Sequence, residues 1–235
     1  MIEYFNEDCM VGMARYPDKH FDLAIVDPPY GIGAGKGTRV INPNHTWKGS
    51  RDRGGIITGE WDNKIPDKQY FEELFRVSKN QIIWGGNYFS LPSNNNWIIW
   101  DKKITNHTFS PFEMAWSSNG KCKIFRWMLE GYKSENPREM QNRFHPTQKP
   151  VALYKWLLKN YANQGDLILD THVGSASSLI ACHDMGFDAV GFEIDPDYYK
   201  ASKQRLERHM AQIQITDLAP VIKPEQIAFT EVYDK

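Results

Sequence analysis

The stretch that decides the fold is "DLAIVDPPYGIG", residues 22–33. Its apolar run is short and rich in β-branched residues, and it stops at an acid and two prolines. This pattern predicts a buried parallel strand that ends where the prolines begin. Directly after the strand the chain places a carboxylate, two backbone positions of restricted conformation and an aromatic ring, namely Asp27, Pro28, Pro29 and Tyr30.

The remaining sequence alternates between strand-like and helical segments. In the N-terminal half we predict a helix over 67–79 that Asp67 caps, and short strands over 81–86, 96–103 and 112–116. In the C-terminal half we predict helices over 150–162, 175–186 and 196–213, with strands over 166–170 and 188–195. Such alternation predicts an α/β fold, an open and mostly parallel Rossmann-like sheet with helices on both faces.

Three acids fall at predicted strand ends: Asp27, Asp170 and Glu193. The carboxyl ends of parallel strands share one edge of the sheet, which is where open α/β sheets bind ligands. We therefore expect the three acids to converge on one binding site.

Composition limits the class of protein. The 235 residues are 41% hydrophobic and 24% charged, as in a globular protein with one sizeable core. No apolar run approaches the ~20 residues of a membrane span, and the acidic N-terminus does not resemble a signal peptide. The three cysteines form no CxxC pair, which argues against a disulfide framework or a cysteine-based zinc site. We expect one cytoplasmic domain, 1–235, without a metal.

Positive charge is concentrated in two segments, although the net charge is only −1. Gly31–Gly59 has five Lys and Arg residues against one acid, and Lys121–Lys149 has seven against three. Solvated loops explain this charge as well as a polyanionic partner does. If the partner is nucleic acid, Trp47 and Trp61, which lie within the loop predicted over 31–65, are the best candidates for contact with it.

The turn after Asp170, "LILDTHVGSASS" at 167–178, is the candidate cofactor site. It lacks the GxGxxG pattern with which a dinucleotide fold approaches a pyrophosphate, and only Gly174 remains. S-adenosylmethionine has no phosphates and would not need the missing glycines. Glu193 would bind its ribose hydroxyls, and Asp170 its cationic groups. The alternative is an ordinary strand–helix turn without a ligand.

The stretch Asp27–Tyr30 suits methylation of a planar amino group. The lone pair of such a group is delocalised into the ring, so attack on a methyl sulfonium requires acceptors that hold its two N–H bonds. Asp27 and the carbonyl of Pro28 would be these acceptors, and Tyr30 would stack on the base. Orientation of this kind can lower a barrier by ~7–11 kcal/mol.

Four motifs in this order resemble the permuted (beta) class of DNA amino methyltransferases: "DPPY" at 27–30, "HPTQKP" at 145–150, "ILDTHVGS" at 168–175 and "GFEIDPDYY" at 191–199. The resemblance implies a seven-stranded sheet whose last strand is antiparallel, a flipped target base, and adenine as that base. It allows a homodimer and a cognate restriction enzyme as partners. Because phosphate contacts can offset the cost of flipping a base, we assign contact with double-stranded DNA and recognition of a short target to residues 31–65 and 117–144, which contain most of the two basic segments.

The resemblance extends the predicted site. It implies that Asp8 lies near the cofactor adenine and that the HPTQKP motif borders the methionine end. The predicted cofactor-binding residues are Asp8, Cys9, His145, Thr147, Lys149, Asp170, His172, Gly174, Ser175, Glu193 and Ile194. The predicted catalytic residues are Asp27, Pro28, Pro29 and Tyr30.

The turn at 170–176 departs from the family pattern, which is closer to DPFxGSGT. Thr171, His172 and Ala176 replace its proline, phenylalanine and second glycine, and we expect His172 to fill the space of the phenylalanine. These departures motivate an alternative, a catalytically silent binding protein that keeps the fold. Further alternatives are methylation of the 4-amino group of cytosine, of adenine in RNA, or of a glutamine side chain in protein.

Overall fold

The computed structural model describes residues 1–33, 62–104, 110–130, 133–134, 144–145 and 147–212. The described strands are β1 (Ile2–Phe5), β2 (Phe21–Val26), β3 (Ser78–Trp84), β4 (Trp97–Asp101), β5 (Phe112–Ser117), β6 (Lys123–Arg126), β7 (Leu129–Glu130), β8 (Lys133–Ser134), β9 (Leu167–Asp170) and β10 (Asp188–Phe192). β7 and β8 pair only with each other.

The other eight strands form one sheet in the order β1-β10-β9-β2-β3-β5-β4-β6. All neighbours pair in parallel except β5, which is antiparallel to both β3 and β4. The mostly parallel Rossmann-like sheet is therefore confirmed. It has eight strands rather than the seven expected, and its antiparallel strand lies inside the sheet.

The described α-helices are α1 (Cys9–Met13), α2 (Lys68–Val77), α3 (Val151–Tyr161), α4 (Ser177–Met185) and α5 (Pro196–Met210). Asp67 caps α2 as predicted, because its carboxylate accepts a hydrogen bond from the Tyr70 amide at 3.0 Å. Gly186 ends α4 with φ 72°, a left-handed conformation that glycine adopts without steric cost.

Successive side chains of the central strands point to opposite faces of the sheet. On one face Leu23 and Ile25 pack in a cluster with residues of α3, α4 and α5. On the other face Ala24 and Val26 pack with residues of α1 and α2. The central strands are thus apolar on both sides, which explains why β2 reads as a continuous apolar run.

The sequence prediction missed β1 and α1, and it missed β6 within the second basic segment. β6 pairs with β4 as an edge strand, and the Lys123 ammonium donates to the Asn160 side chain at 2.7 Å. Residues 34–61, which include most of the first basic segment together with Trp47 and Trp61, lie outside the described residues. Among the described helices, none has the length and apolar character of a membrane span.

Candidate active site

Two adjacent cavities lie at the carboxyl ends of β2, β9 and β10. The larger is about 440 Å³ and the smaller about 270 Å³. They share four wall residues: Pro29, His172, Glu193 and Ile194. An elongated ligand could therefore occupy both, with its middle at the shared wall.

The structure brings most of the predicted site residues to these walls. The larger cavity is lined by Asp27, Pro28, Pro29, Tyr30, His145, Thr147, Lys149, His172, Gly174, Ser175, Glu193 and Ile194. The smaller is lined by Asp8 and Cys9 in addition to the shared residues. Asp170 lines neither cavity.

Asp27 directly follows β2, and both of its carboxylate oxygens have partners. The Tyr30 hydroxyl donates to Oδ1 at 2.5 Å, and the Lys149 ammonium forms an ion pair with Oδ2. The Asp27 side chain is only 18% exposed. Burial raises the pKa of Asp27, and the charge of Lys149 opposes that shift.

Lys149 is the most buried charge of this group, with 2% of its side chain exposed. Its ammonium also lies 3.2 Å from Glu113 Oε2, and it lies over the rings of Trp84 and Tyr30. Burial alone would lower the pKa of Lys149, but the carboxylates of Asp27 and Glu113 outweigh it and raise that pKa. The residue is therefore a cation at neutral pH.

The Tyr30 ring packs against the protein on one side. It stacks on Tyr88 with ring centroids 5.1 Å apart and planes 11° apart. Two features of position 85 require glycine. A Cβ there would lie 2.2 Å from the Tyr30 ring, and the backbone has φ 67°, a left-handed conformation that glycine adopts without steric cost. Tyr30 thus orients Asp27 through its hydroxyl, a contact that the sequence analysis did not predict.

Asp62 holds the loop after the prolines in place. Its Oδ1 accepts hydrogen bonds from the amides of Tyr30 and Gly31 at 2.6 and 2.9 Å. The residue is 2% exposed and lines the larger cavity. An isolated acid 35 residues downstream of Asp27 in a region without periodicity gave no signal of this role.

Glu193 follows β10 and joins two turns of the chain. Its Oε2 accepts a hydrogen bond from the Gly174 amide at 2.8 Å, and its Oε1 accepts one from the Asp195 amide at 3.0 Å. Burial raises the pKa of Glu193, and these amide hydrogen bonds oppose the shift. The carboxylate lies in the wall common to both cavities, where it can accept hydrogen bonds from a ligand's hydroxyl groups.

The sequence analysis assigned Asp170 to the cofactor's cationic groups, but the structure places this residue outside the linings of both cavities. Its carboxylate accepts hydrogen bonds from the Ser178 hydroxyl and from the His172 amide, the latter at 3.0 Å. The residue is 3% exposed, and burial raises its pKa to about 7. Asp170 instead fixes the turn between β9 and α4 from behind.

His172 lies in the shared wall as a neutral imidazole, because burial lowers its pKa to about 4. Its Nδ1 is 2.9 Å from the Thr171 hydroxyl, which is 2.7 Å from the Tyr70 hydroxyl. The His172 ring also meets the Tyr70 ring edge-on, with centroids 5.3 Å apart. These contacts are those of a packed aromatic side chain, and the same ring also lines both cavities.

Four residues of the HPTQKP motif line the larger cavity: His145, Thr147, Gln148 and Lys149. The Thr147 amide and hydroxyl lie 3.3 and 3.2 Å from His145 Nδ1, and the His145 ring packs on Tyr198 with centroids 4.5 Å apart. Gln148 is 7% exposed and lines the same cavity. Among the residues that the structure describes, its Oε1 has no hydrogen-bond partner.

At the far end of the smaller cavity, Asp8 begins α1. Its carboxylate accepts a hydrogen bond from the Met10 amide at 2.7 Å, so Asp8 is the N-cap of that helix. Burial raises the pKa of the neighbouring Cys9 thiol to about 12, which keeps the thiol protonated. Cys9 therefore contributes an apolar wall rather than a nucleophile.

Glu113 and Lys102 are functional candidates that the sequence analysis missed. Both line the larger cavity, and their side chains form an ion pair at 2.7 Å. Burial opposes ionisation of Glu113, but Lys149 and Lys102 lower its pKa to about 2. The available signal was an acid within the apolar strand "FEMAW", at 112–116.

Comparison with known proteins gives the family context. A DNA methylase family model of the N6/N4 type matches residues 92–204. Among curated proteins, the type II methyltransferase M.HpaI of Haemophilus parainfluenzae is 25% identical over 232 residues, which cover 81% of this chain and 69% of that protein.

Solved structures share the fold. A putative DNA modification methylase from Thermus thermophilus, complexed with S-adenosyl-L-methionine, has a TM-score of 0.52 at 18% identity and covers 91% of this chain and 98% of its own. The cytosine-N4-specific PvuII DNA methyltransferase has a TM-score of 0.53 at 10% identity. The match covers 89% of this chain and 91% of the PvuII chain. The family model and the curated relative make this chain similar to DNA methyltransferases of the N6/N4 type. The solved structures show a shared fold.

Proposed function

We propose that this protein transfers a methyl group from S-adenosyl-L-methionine to the 6-amino group of adenine in DNA. The observation that carries the proposal is the position of Asp27, which follows a buried parallel strand and lines the larger of two adjoining cavities. The acid would accept a hydrogen bond from the amino group there. Because the "DPPY" motif precedes the cofactor turn in the chain, we assign the protein to the permuted class.

The two cavities fit the shape and charge of the cofactor. We place the adenosine in the smaller cavity beside Asp8 and Cys9, with the ribose hydroxyls at Glu193. The methionine end then extends into the larger cavity, where the unpartnered Oε1 of Gln148 is an acceptor for a cationic ammonium group. When bound, the cofactor supplies an electrophilic methyl group.

The chain's own residues would bind and orient the amino group. Asp27 and the carbonyl of Pro28 accept its two N–H bonds, which localises the nitrogen lone pair. The restricted backbone of Pro28 and Pro29 fixes the separation of these two acceptors. Acceptors that are aimed at developing positive charge stabilise the transition state in a site with little water.

The substrate in this proposal is double-stranded DNA with one base flipped into the larger cavity. Flipping costs a few kcal/mol, which phosphate contacts can offset. We assign those contacts and target recognition to the basic segments 31–65 and 117–144 of a single domain, 1–235, in the cytoplasm. A homodimer and a cognate restriction enzyme are further predictions from the resemblance.

A second candidate is methylation of the 4-amino group of cytosine. The fold likeness to the cytosine-N4-specific PvuII enzyme motivates it. In the family pattern, however, an acid at the position of Asp27 usually accompanies adenine, and a serine there usually accompanies cytosine. The aspartate therefore favours adenine.

The test is expression in a host whose DNA has no methylation, followed by sequencing that detects modified bases. We expect N6-methyladenine at one short target sequence in every copy of the genome. The matched control is Asp27→Ala at equal protein level, which should leave the DNA unmodified. N4-methylcytosine in its place would support the second candidate, and unmodified DNA with the wild-type protein would refute both.

A further inference from the structure

The Asp27 carboxylate holds two donors in this structure. The Lys149 ammonium occupies Oδ2 and the Tyr30 hydroxyl occupies Oδ1. If Asp27 accepts an N–H from a target base, as the proposed function on which this inference rests requires, the new donor competes with these two for a carboxylate whose side chain is only 18% exposed. The Lys149 ammonium is an N–H donor like the target amino group, and it competes for the same oxygen.

Lys149 has a second acceptor within reach. Glu113 Oε2 lies 3.2 Å from the ammonium. The Lys149 side chain is 2% exposed, so the ammonium cannot exchange Asp27 for bulk water without a large movement. A buried cation needs a counter-charge in the protein, and Glu113 is the other carboxylate paired with it among the described residues.

Glu113 is itself held in place for this role. Lys102 forms an ion pair with its Oε1 at 2.7 Å, which leaves Oε2 directed toward Lys149. The Lys102 and Glu113 side chains are 15% and 26% exposed, so both lie largely within the cavity wall. The group contains two carboxylates and two ammonium ions, and a shift of Lys149 between its carboxylates leaves that balance unchanged.

We propose that Glu113 is a positioning residue that draws the Lys149 ammonium from Asp27 when the target amino group enters the larger cavity. The free protein thereby keeps Asp27 paired and buried, and the target base releases it. Glu113 acts through Lys149 and need not touch the base.

This exchange has a measurable consequence for substrate affinity. Without Glu113 the ammonium keeps only Asp27 as a carboxylate partner among the described residues, so the state that accepts the base becomes rarer. The apparent Kd for DNA equals the intrinsic Kd divided by the fraction of protein in the state that accepts the base, so a smaller fraction means weaker apparent binding. Saturating substrate restores that state, so the maximal rate changes less than KM does.

The first experiment compares Glu113→Gln with the wild-type protein in steady-state DNA methylation. We expect KM for DNA to rise about tenfold and kcat to stay within about twofold. Loss of a negative charge beside a polyanionic substrate would by itself lower KM, so the expected change opposes the general electrostatic effect. Glu113→Asp, which keeps the charge, should recover part of the loss.

The exposed acid Glu3 provides the matched control, since Glu3→Gln removes the same charge on the far strand β1. That variant should keep both kinetic constants. An unchanged or lowered KM in Glu113→Gln, with a wild-type melting temperature, would overturn the proposal. Failure of the wild-type protein to methylate any DNA would refute the proposed function itself, which is a different result.

The second experiment does not depend on a variant that folds. In a crystal structure of the wild-type protein with sinefungin and target DNA, we expect Lys149 Nζ to contact Glu113 and to be out of hydrogen-bond distance of Asp27. A base amino group on Asp27 with Lys149 still paired to the same carboxylate would contradict the exchange.

Discussion

Asp27 and Glu193 both follow parallel strands at the same edge of the sheet, but their partners differ in kind. The oxygens of Glu193 accept hydrogen bonds from the backbone amides of Gly174 and Asp195. Those of Asp27 are held by the side chains of Tyr30 and Lys149. Backbone amides fix a carboxylate before any ligand arrives, whereas side chains can exchange partners. In the function that we propose, this edge combines a preformed cofactor site at Glu193 with a substrate site at Asp27 whose partners exchange.

The largest effect on activity is expected from loss of the Asp27 carboxylate. In Asp27→Ala, methyl transfer should fall about 100–1,000-fold, which is the scale of removing one preorganised electrostatic group from an active site. Binding of S-adenosylhomocysteine, measured by calorimetry, should stay within about threefold because Glu193 and its amides are untouched. A variant with full turnover would exclude the assigned role of Asp27. A wild-type protein that binds the cofactor without turnover would instead be the silent binding protein.

The second prediction concerns Asp170, whose carboxylate accepts hydrogen bonds from the His172 amide and the Ser178 hydroxyl in the turn between β9 and α4. Its pKa is about 7 in the folded protein and near its ordinary value of 3.8 when unfolded. The folded state therefore keeps the proton longer, and this contribution to stability is complete below pH 4 and is lost as pH rises through 7. It amounts to at most about 4 kcal/mol.

Asp170→Asn cannot ionise and isolates that contribution. The difference in unfolding free energy between the variant and the wild-type protein, measured by urea titration, should change steadily between pH 4 and pH 7 in favour of the variant. Because both proteins contain His172 and Glu193, the contributions of these two residues to the pH dependence of stability cancel in this difference. A difference that does not change with pH would show that Asp170 is not the group titrating.

The third prediction weakens the preformed site, because the NH2 group of Gln cannot accept the hydrogen bond that the Gly174 or the Asp195 amide donates to Glu193. In Glu193→Gln, affinity for S-adenosylhomocysteine should fall about 10–100-fold, because a hydrogen bond to a charged group contributes about 1.5–3 kcal/mol. The kcat at saturating cofactor should change much less. Glu207→Gln, an exposed position on α5, is the control. Equal affinities in both variants would remove Glu193 from the cofactor site.

The smallest effect is expected at Ala176, where the family pattern has its second glycine. Ala176 has φ 62°, a left-handed conformation that costs a residue with a Cβ about 1–2 kcal/mol. Ala176→Gly relieves this cost but removes a buried methyl group worth about 0.8 kcal/mol. We expect a net gain in unfolding free energy of up to about 1 kcal/mol by urea titration. A loss greater than about 1 kcal/mol would contradict the claim that the backbone at Ala176 is strained.

The sequence predicted those features that local patterns determine. β2, α2 and the alternation of strands and helices after residue 150 follow from runs, caps and prolines, and they place Asp27 and Glu193 correctly. β1 was missed because its four residues gain strand character only by pairing with β10, which is distant in the chain. The resemblance implied seven strands, whereas the described sheet has eight.

The candidate site was predicted as a set of residues but not as a set of contacts. Lys149 and Asp27 are 122 positions apart, and nothing local indicates that they pair. The same holds for Glu113, whose position in an apolar strand was visible but whose two lysine partners come from elsewhere. For Asp170 the sequence located the acid correctly, and only the structure shows that its oxygens face Ser178 and the His172 amide.

A crystal structure of the wild-type protein with sinefungin and no DNA tests the contrast between the two acids most directly. We predict adenosine in the smaller cavity, the ribose at Glu193, the amino-acid end in the larger cavity, and Asp27 still paired with Lys149 and Tyr30. A ligand confined to one cavity, or one whose ribose lies away from Glu193, would contradict the account, as would an Asp27 side chain directed away from the cavity.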